Sequence, residues 1–221
     1  MDQIESTGKS FEVSRYLKAR ALAWEKLYAL NDFIQVNYST LSEEDIHLKI
    51  KESFGPIKFW HPHKVRFGSN TRCSFKEVST PGKTLTSKET YFIDIGPILD
   101  SHEADVGQTF RIGESHFKNP AHIVFNKLEK VWKEEGLTGA ELYKKAEEFA
   151  IELNCELNEK MSGHRLGDFP HALFHRGGLN EFENKPKKML WVLEIHLLDK
   201  QRDLGYFYED ILGAPELEIL R

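Results

Sequence analysis

Three apolar runs in this 221-residue chain each carry a carboxylate, and that conflict restricts the folds open to it. Asp94 ends the run Tyr91-Phe92-Ile93, Glu194 sits inside MLWVLEIHLL, and Glu209 sits inside GYFYEDIL. Asp105 follows in the glycine-bounded segment ADVGQTF. A carboxylate within an apolar strand is costly to bury unless it is paired or bound to a cation. For any one of these acids, backbone donors or an ion pair would suffice. Gathered in one place the four would repel one another unless cations neutralised them, so a divalent-metal site accounts for the set economically. Hard oxygen donors joined by an imidazole suit manganese, iron, cobalt or zinc better than a thiolate-seeking metal.

The segments around these runs read as helices, then strands, then helices, then strands. Tyr16, Leu17, Ala21, Trp24, Leu27, Tyr28, Leu30 and Ile34 recur at three- and four-residue intervals, predicting one long helix from about Val13 to Gln35. Ser42 with Asp45 three residues on resembles a capping box, so a second helix should run to about Ser53. Short β-prone runs follow at Lys64-Phe67, Thr90-Ile95 and Thr109-Ile112. Helical periodicity returns over Ala121-Glu134, with Gly136 placed to end it. Thr138 and Glu141 open another helix, expected to reach about Lys160. A Gly/His-rich loop, SGHRLGDFPHALFHRGG, precedes strands at Met189-Leu197 and Tyr206-Leu212. Without regular βαβ alternation, the mixture predicts an α+β fold with a largely antiparallel sheet. No linker, internal repeat or low-complexity segment divides it, which predicts one domain over 1–221 with the N-terminal helices of about 13–53 packed on it.

A formal charge of -5 argues against a dedicated nucleic-acid binder. No stretch approaches the roughly 18 apolar residues of a membrane span, and MDQIESTGKSFEVSR lacks the apolar core of a signal peptide. The expectation is a cytoplasmic protein. Cys73 and Cys155 are too few for a disulfide framework and lack thiolate-zinc spacing, so they read as reduced thiols.

Taken in order, IDIG, ADVGQTF, SGHRLGDFPH, VLEIH and YED resemble the five-ligand signature of the pita-bread metallopeptidases, the class of methionine aminopeptidases, aminopeptidase P and prolidase. The resemblance extends over roughly Phe67 to Leu212; each fragment is weak alone, and their order and spacing make the match specific. It implies a pita-bread (creatinase/aminopeptidase) fold, a curved, mostly antiparallel sheet covered by helices. It implies a prolidase-like catalytic domain without the N-terminal domain that prolidases carry. It assigns the metal ligands to Asp94, Asp105, His164, Glu194 and Glu209, with Asp105 and Glu209 bridging two divalent ions. Manganese comes first among these, with cobalt, iron or zinc as the other candidates. His171, seven residues after His164, matches the family's non-ligand histidine that steadies substrate, and Glu194 would help to move protons.

The pattern also departs from the family. Active members carry a histidine several residues after a Gly-x-Asn element; Gly68-Ser69-Asn70 is present, but the expected place reads Ser74-Phe75-Lys76. His61 and His63, upstream in FWHPHKVRF, are candidates to reach the site from another strand. The prolidase-like branch has an acid directly after the second loop histidine and an arginine two residues before the final glutamate; here these are Ala172 and Phe207. Asp94-Ile95-Gly96 leans toward the prolidase and creatinase branch. Arg165 and Arg176 are candidates to bind a substrate carboxylate, which a planar guanidinium does well.

The implied function is a metal-dependent exopeptidase, an aminopeptidase or Xaa-Pro dipeptidase, acting on short peptides. A related hydrolase of small non-peptide amides and a catalytically silent binding module are the alternatives. The branch is compatible with a homodimer, and neither nucleic acid nor membrane is an expected partner.

Overall fold

A computed structural model describes residues 4–217. Residues 1–3 and 218–221, the two ends of the expected domain, lie outside the described residues. Helix α1 (Val13–Asn37) and helix α2 (Glu43–Phe54) come first, and Ser42 caps α2 through the expected box, with both Ser42 and Asp45 bonding back to the other's backbone. Strands β1 (Lys64–Phe67), β2 (Thr90–Ile95), β3 (Ile98–Leu99), β4 (His102–Glu103) and β5 (Val106–Arg111) follow. Helices α3 (Pro120–Glu135) and α4 (Gly139–Glu152) lead to β6 (Glu156–Leu157), β7 (Val192–Asp199) and β8 (Leu204–Ile211). Six strands form one sheet in the order β1-β2-β5-β8-β7-β6, each neighbouring pair antiparallel; β3 and β4 form a separate hairpin.

The alternation of side chains along a strand divides this sheet into two environments. Tyr91, Ile93 and Ile95 of β2 and Leu193, Ile195 and Leu197 of β7 enter the main core, with Trp24, Leu27, Leu30 and Ile34 of α1 and Leu128 of α3. Their neighbours Phe92, Asp94 and Glu194 point to the opposite face, where the candidate site lies. Phe92, Phe207 and Met161 form a small apolar cluster there. Among the described residues no helix is long and apolar enough to cross a membrane.

Three expectations are corrected. The helix opened by Thr138 ends at Glu152 and does not reach Lys160. The Leu153 and Cys155 N–H groups both return to the Ala150 carbonyl at 3.0 Å, and Asn154 takes φ 57°, which closes the helix and releases β6 to pair with β7. The strand expected at Thr109 begins at Val106, because Val106 and Gly107 pair with Ile95 and Asp94. On α1, Ala21 is exposed, and Ala19, Arg20 and Ala23 are buried in its place. Arg20 is admitted to the core by Asp210: its Nε and Nη2 donate to the two carboxylate oxygens, each at 2.6 Å, and Trp24 Nε1 adds a third bond at 3.1 Å.

Candidate metal centre

One row across the sheet builds the site. Asp94 on β2 is paired with Gly107 on β5, Gly107 with Glu209 on β8, and Glu209 with Glu194 on β7. Directly paired residues of antiparallel strands share a face, so three carboxylates stand in line on one side of the sheet. The glycine among them leaves the gap into which they converge: a Cβ at position 107 would meet Glu209 Oε1 at 2.8 Å and the Phe207 ring at 2.4 Å. Asp105, two residues before Gly107, adds the fourth carboxylate.

Two histidines close the cluster from outside the six-stranded sheet. His61 precedes β1, and its Nε2 lies 3.1 Å from Asp105 Oδ1 and 3.4 Å from Asp94 Oδ1. His164 Nε2 lies 2.9 Å from Asp105 Oδ2. The loop holding His164 is anchored by Gly163, whose φ is +58° and whose N–H donates to Glu194 Oε2 at 3.1 Å. The carbonyl of Val192 would stand 2.3 Å from a side chain at position 163, so both the backbone conformation and the space require glycine there.

These groups surround a cavity of ≈ 300 Å³, walled by Trp60, Pro62, Phe75 and Met161, with Lys160 at its edge. Burial, the largest influence, pushes the Glu194 carboxyl up to about 7 against the pull of His164, with Asp94 and Asp105 adding to the rise. Burial likewise raises Asp94 to about 6, against His61. Glu209 is held well above the ordinary carboxylate range by burial and then by the charges of Asp105, Asp94 and Glu194. Asp105 moves the other way: burial would raise it, but hydrogen bonds from His164 and His61 outweigh that. His61 rises to about 9, since Asp94 and Asp105 overcome the burial that would lower it.

Asp94 Oδ1 and Glu209 Oε1 are buried yet have no hydrogen-bond partner among the described residues. Unsatisfied carboxylate oxygens aimed into a cluster of further carboxylates fit cations: these are hard donors whose mutual repulsion a divalent charge removes. A ring nitrogen of His61 and one oxygen each of Asp94 and Asp105 lie within 4.8 Å of one another, a grouping of donors that could hold a metal ion.

Asp94, Asp105, His164, Glu194, Glu209 and His61, all named from sequence, therefore meet at one cavity. His171 stands beside it, its ring stacked on His164 at 5.0 Å and edge-on to Trp60 at 4.9 Å. Three candidates lie elsewhere. Arg165 is fully buried, and its guanidinium donates to the carbonyls of Ile4, Ser6 and Leu190, so it anchors the N-terminal segment and does not face the cavity. Arg176 is exposed and donates to Ala172 O at 3.3 Å. His63 packs on His47 at 4.9 Å, and burial together with His47 lowers it to about 4.

Sequence reasoning missed Glu103. This acid is 1% exposed and accepts from His171 Nδ1 at 2.6 Å and from the His171 backbone N–H at 3.1 Å. The acid absent at Ala172 is thus supplied from β4. A second acid in HEAD, two residues before Asp105, was the available signal. Phe207, in place of the family's arginine, packs on Phe92 at 4.9 Å.

No family profile and no curated protein matches this sequence. Solved structures do match. An X-Pro aminopeptidase from Thermotoga maritima MSB8 superimposes with a TM-score of 0.66 at 16% identity, over 94% of this chain and 63% of its own. A prolidase from Pyrococcus horikoshii OT3 gives 0.69 at 15% identity, over 99% of this chain and 65% of its own. A methionine aminopeptidase from Thermotoga maritima gives 0.64 at 11% identity, over 95% of this chain and 100% of its own. The chain thus spans slightly less than two thirds of the X-Pro aminopeptidase and the prolidase, and the whole length of the methionine aminopeptidase. The fold is the pita-bread fold that the sequence resemblance implied.

Proposed function

We propose that this chain is a metal-dependent hydrolase that removes an N-terminal residue from short peptides or splits a dipeptide. The observation that carries the reading is the row of Asp94, Glu209 and Glu194, completed by Asp105 and His164 around one cavity, with carboxylate oxygens unsatisfied within it. Asp94, Asp105, His164, Glu194 and Glu209 would hold two divalent ions, manganese, cobalt, iron or zinc. Such ions supply Lewis acidity, which lowers the pKa of water and polarises a carbonyl oxygen.

The remaining steps belong to the protein's own groups. Glu194, oriented by the Gly163 N–H, is suited to take a proton from the attacking water and to return it to the leaving amine. Glu103 occupies Nδ1 of His171, which leaves Nε2 to contact the substrate oxygen. Trp60, Pro62, Phe75 and Met161 form an apolar wall for a substrate side chain. A cavity of ≈ 300 Å³ is at the small end of ligand sites, with room for one or two residues of a peptide. Both cysteines are unpaired, as suits a reducing compartment, and the reading places the enzyme in the cytoplasm.

The test is metal content by elemental analysis, followed by turnover of dipeptides, tripeptides and small amides before and after chelation. The expected result is about two ions per chain, with peptide turnover lost on chelation and restored by divalent metal. Turnover unaffected by chelation would refute the proposal. Cleavage of small amides alone would favour the second reading, which the replacement of the family's arginine by Phe207 supports. Glu103→Gln weakens a charge-assisted bond worth roughly 1.5–3 kcal/mol, so kcat should fall about tenfold to a hundredfold with metal content unchanged. An unchanged kcat would remove Glu103 from the mechanism.

A further inference from the structure

We propose that His61 is a sixth metal-binding side chain, the counterpart of His164 across Asp105, so that each of the two ions has one imidazole nitrogen. This rests on the metal-hydrolase reading above and assigns His61 to the metal, where the sequence suggested a contact with substrate.

The first observation is that the two histidines are placed alike. Their Nε2 atoms face opposite oxygens of Asp105, His61 at 3.1 Å from Oδ1 and His164 at 2.9 Å from Oδ2. Each Nδ1 in turn meets the backbone carbonyl one residue on: Pro62 O at 3.0 Å for His61, Arg165 O at 2.8 Å for His164. A carbonyl only accepts, so Nδ1 carries the hydrogen and Nε2 of the neutral ring presents its lone pair. Metal-binding histidines are characteristically arranged in this way, with the far nitrogen tied to a carbonyl that fixes tautomer and orientation. The sequence resemblance supplies one such histidine; the second is this chain's own.

The second observation is the spacing. Donors sharing an ion at bond lengths of about 2.0–2.1 Å stand about 2.9–3.4 Å from one another. His61 Nε2 lies 3.1 Å from Asp105 Oδ1 and 3.4 Å from Asp94 Oδ1. Asp94 Oδ1 is also one of the buried oxygens without a hydrogen bond. The ring cannot easily leave: Trp60 packs edge-on at 4.2 Å and Phe75 at 5.6 Å. Phe75 belongs to the segment where the family pattern expects a histidine, and here it packs against the imidazole that arrives from another part of the chain.

The experiment is K-edge X-ray absorption on the full chain loaded with cobalt or zinc and freed of excess metal, beside metal analysis of His61→Ala and His164→Ala. The proposal expects about one imidazole per ion in the wild type and loss of about one ion from each variant. About half an imidazole per ion, or a His61→Ala protein that keeps both ions at wild-type affinity, would overturn it and return His61 to a substrate role. The wild-type spectrum requires no variant, so a misfolded His61→Ala protein leaves the test intact. A wild type that takes up no metal would instead sink the hydrolase reading itself, a result distinct from two bound ions sharing a single imidazole.

Discussion

Asp105→Asn is expected to lower metal-dependent turnover about 10³-fold, the consequence of losing several kcal/mol of Lewis-acid assistance. Among the carboxylates of the cluster in the described residues, Asp105 is the one that bonds both histidines: Oδ1 faces His61 and Oδ2 faces His164. Asparagine keeps the shape but offers one oxygen and an amide nitrogen, so one of the two carboxylate oxygens available to a cation is replaced and the negative charge is gone. Because the change is nearly isosteric at a fully buried position, secondary structure should persist, and circular dichroism would separate loss of chemistry from loss of fold. Metal analysis should show depletion below the wild-type content. A variant with full turnover and full metal content would show that Asp105 is an ordinary buried acid and would end the dinuclear reading.

Glu209→Gln is expected to stabilise the metal-free protein while abolishing its response to metal. Burial and three neighbouring carboxylates hold Glu209 well above its ordinary range, and burial raises Glu194 to about 7 and Asp94 to about 6. A carboxyl group raised in the folded state binds its proton more tightly there than in the unfolded chain. Its stabilising contribution is therefore complete below the unfolded value of about 4 and is lost as pH rises through the folded value. His61, raised to about 9, has the same sign: its contribution is present below about 6.5 and is lost as pH approaches 9. Asp105, lowered, runs oppositely, but its contribution is already complete above about pH 4.

Metal-free wild type should accordingly lose thermal stability as pH rises from about 4 to 9. Added divalent metal should reverse the trend, because ligands must shed protons to bind and the ion favours only the folded state. Removing the ionisable group at position 209 should raise the metal-free Tm at pH 8 by roughly 2–4 °C for each kcal/mol relieved. Metal affinity should drop by more than the roughly 10–100-fold that follows loss of a group merely supporting a ligand. Melting curves at pH 6, 7, 8 and 9, with and without manganese, check both halves. A Glu209→Gln protein stabilised by metal as strongly as wild type would contradict the assignment.

The order of helices and strands was readable from the chain because each signal is local. The box of Ser42 and Asp45, the left-handed Gly136 after α3 and the β-prone run Thr90–Ile95 all appear where the pattern placed them. The acids in apolar runs were equally readable, since a carboxylate among Phe, Ile and Leu demands a partner wherever the strand is buried. The end of α4 was less so: residues 153–160 carry no strong breaker, and pairing of Glu156–Leu157 with β7 decided it.

Other features depended on register and on contacts between distant segments. Glu209 and Asp210 are adjacent acids of the same kind in sequence, yet strand alternation sends one to the cavity and the other to Arg20 on α1. No property of the dipeptide says which goes where; the pairing of β8 with β5 and β7 does. Arg165 and Arg176 flank the His171 loop in sequence, but three carbonyls claim Arg165 and Arg176 stays exposed beside Ala172. His61 and Glu103 reach the centre from segments remote from the loop histidines, where spacing along the chain carries no information about distance in space. The sequence by itself thus determined the element order and a set of carboxylates in apolar runs that fits a cation site. The tertiary structure alone decided which acids and imidazoles meet, because convergence is set by strand register and by the side-chain space left open at Gly107 and at Gly96, where a Cβ would meet the His61 ring at 2.3 Å.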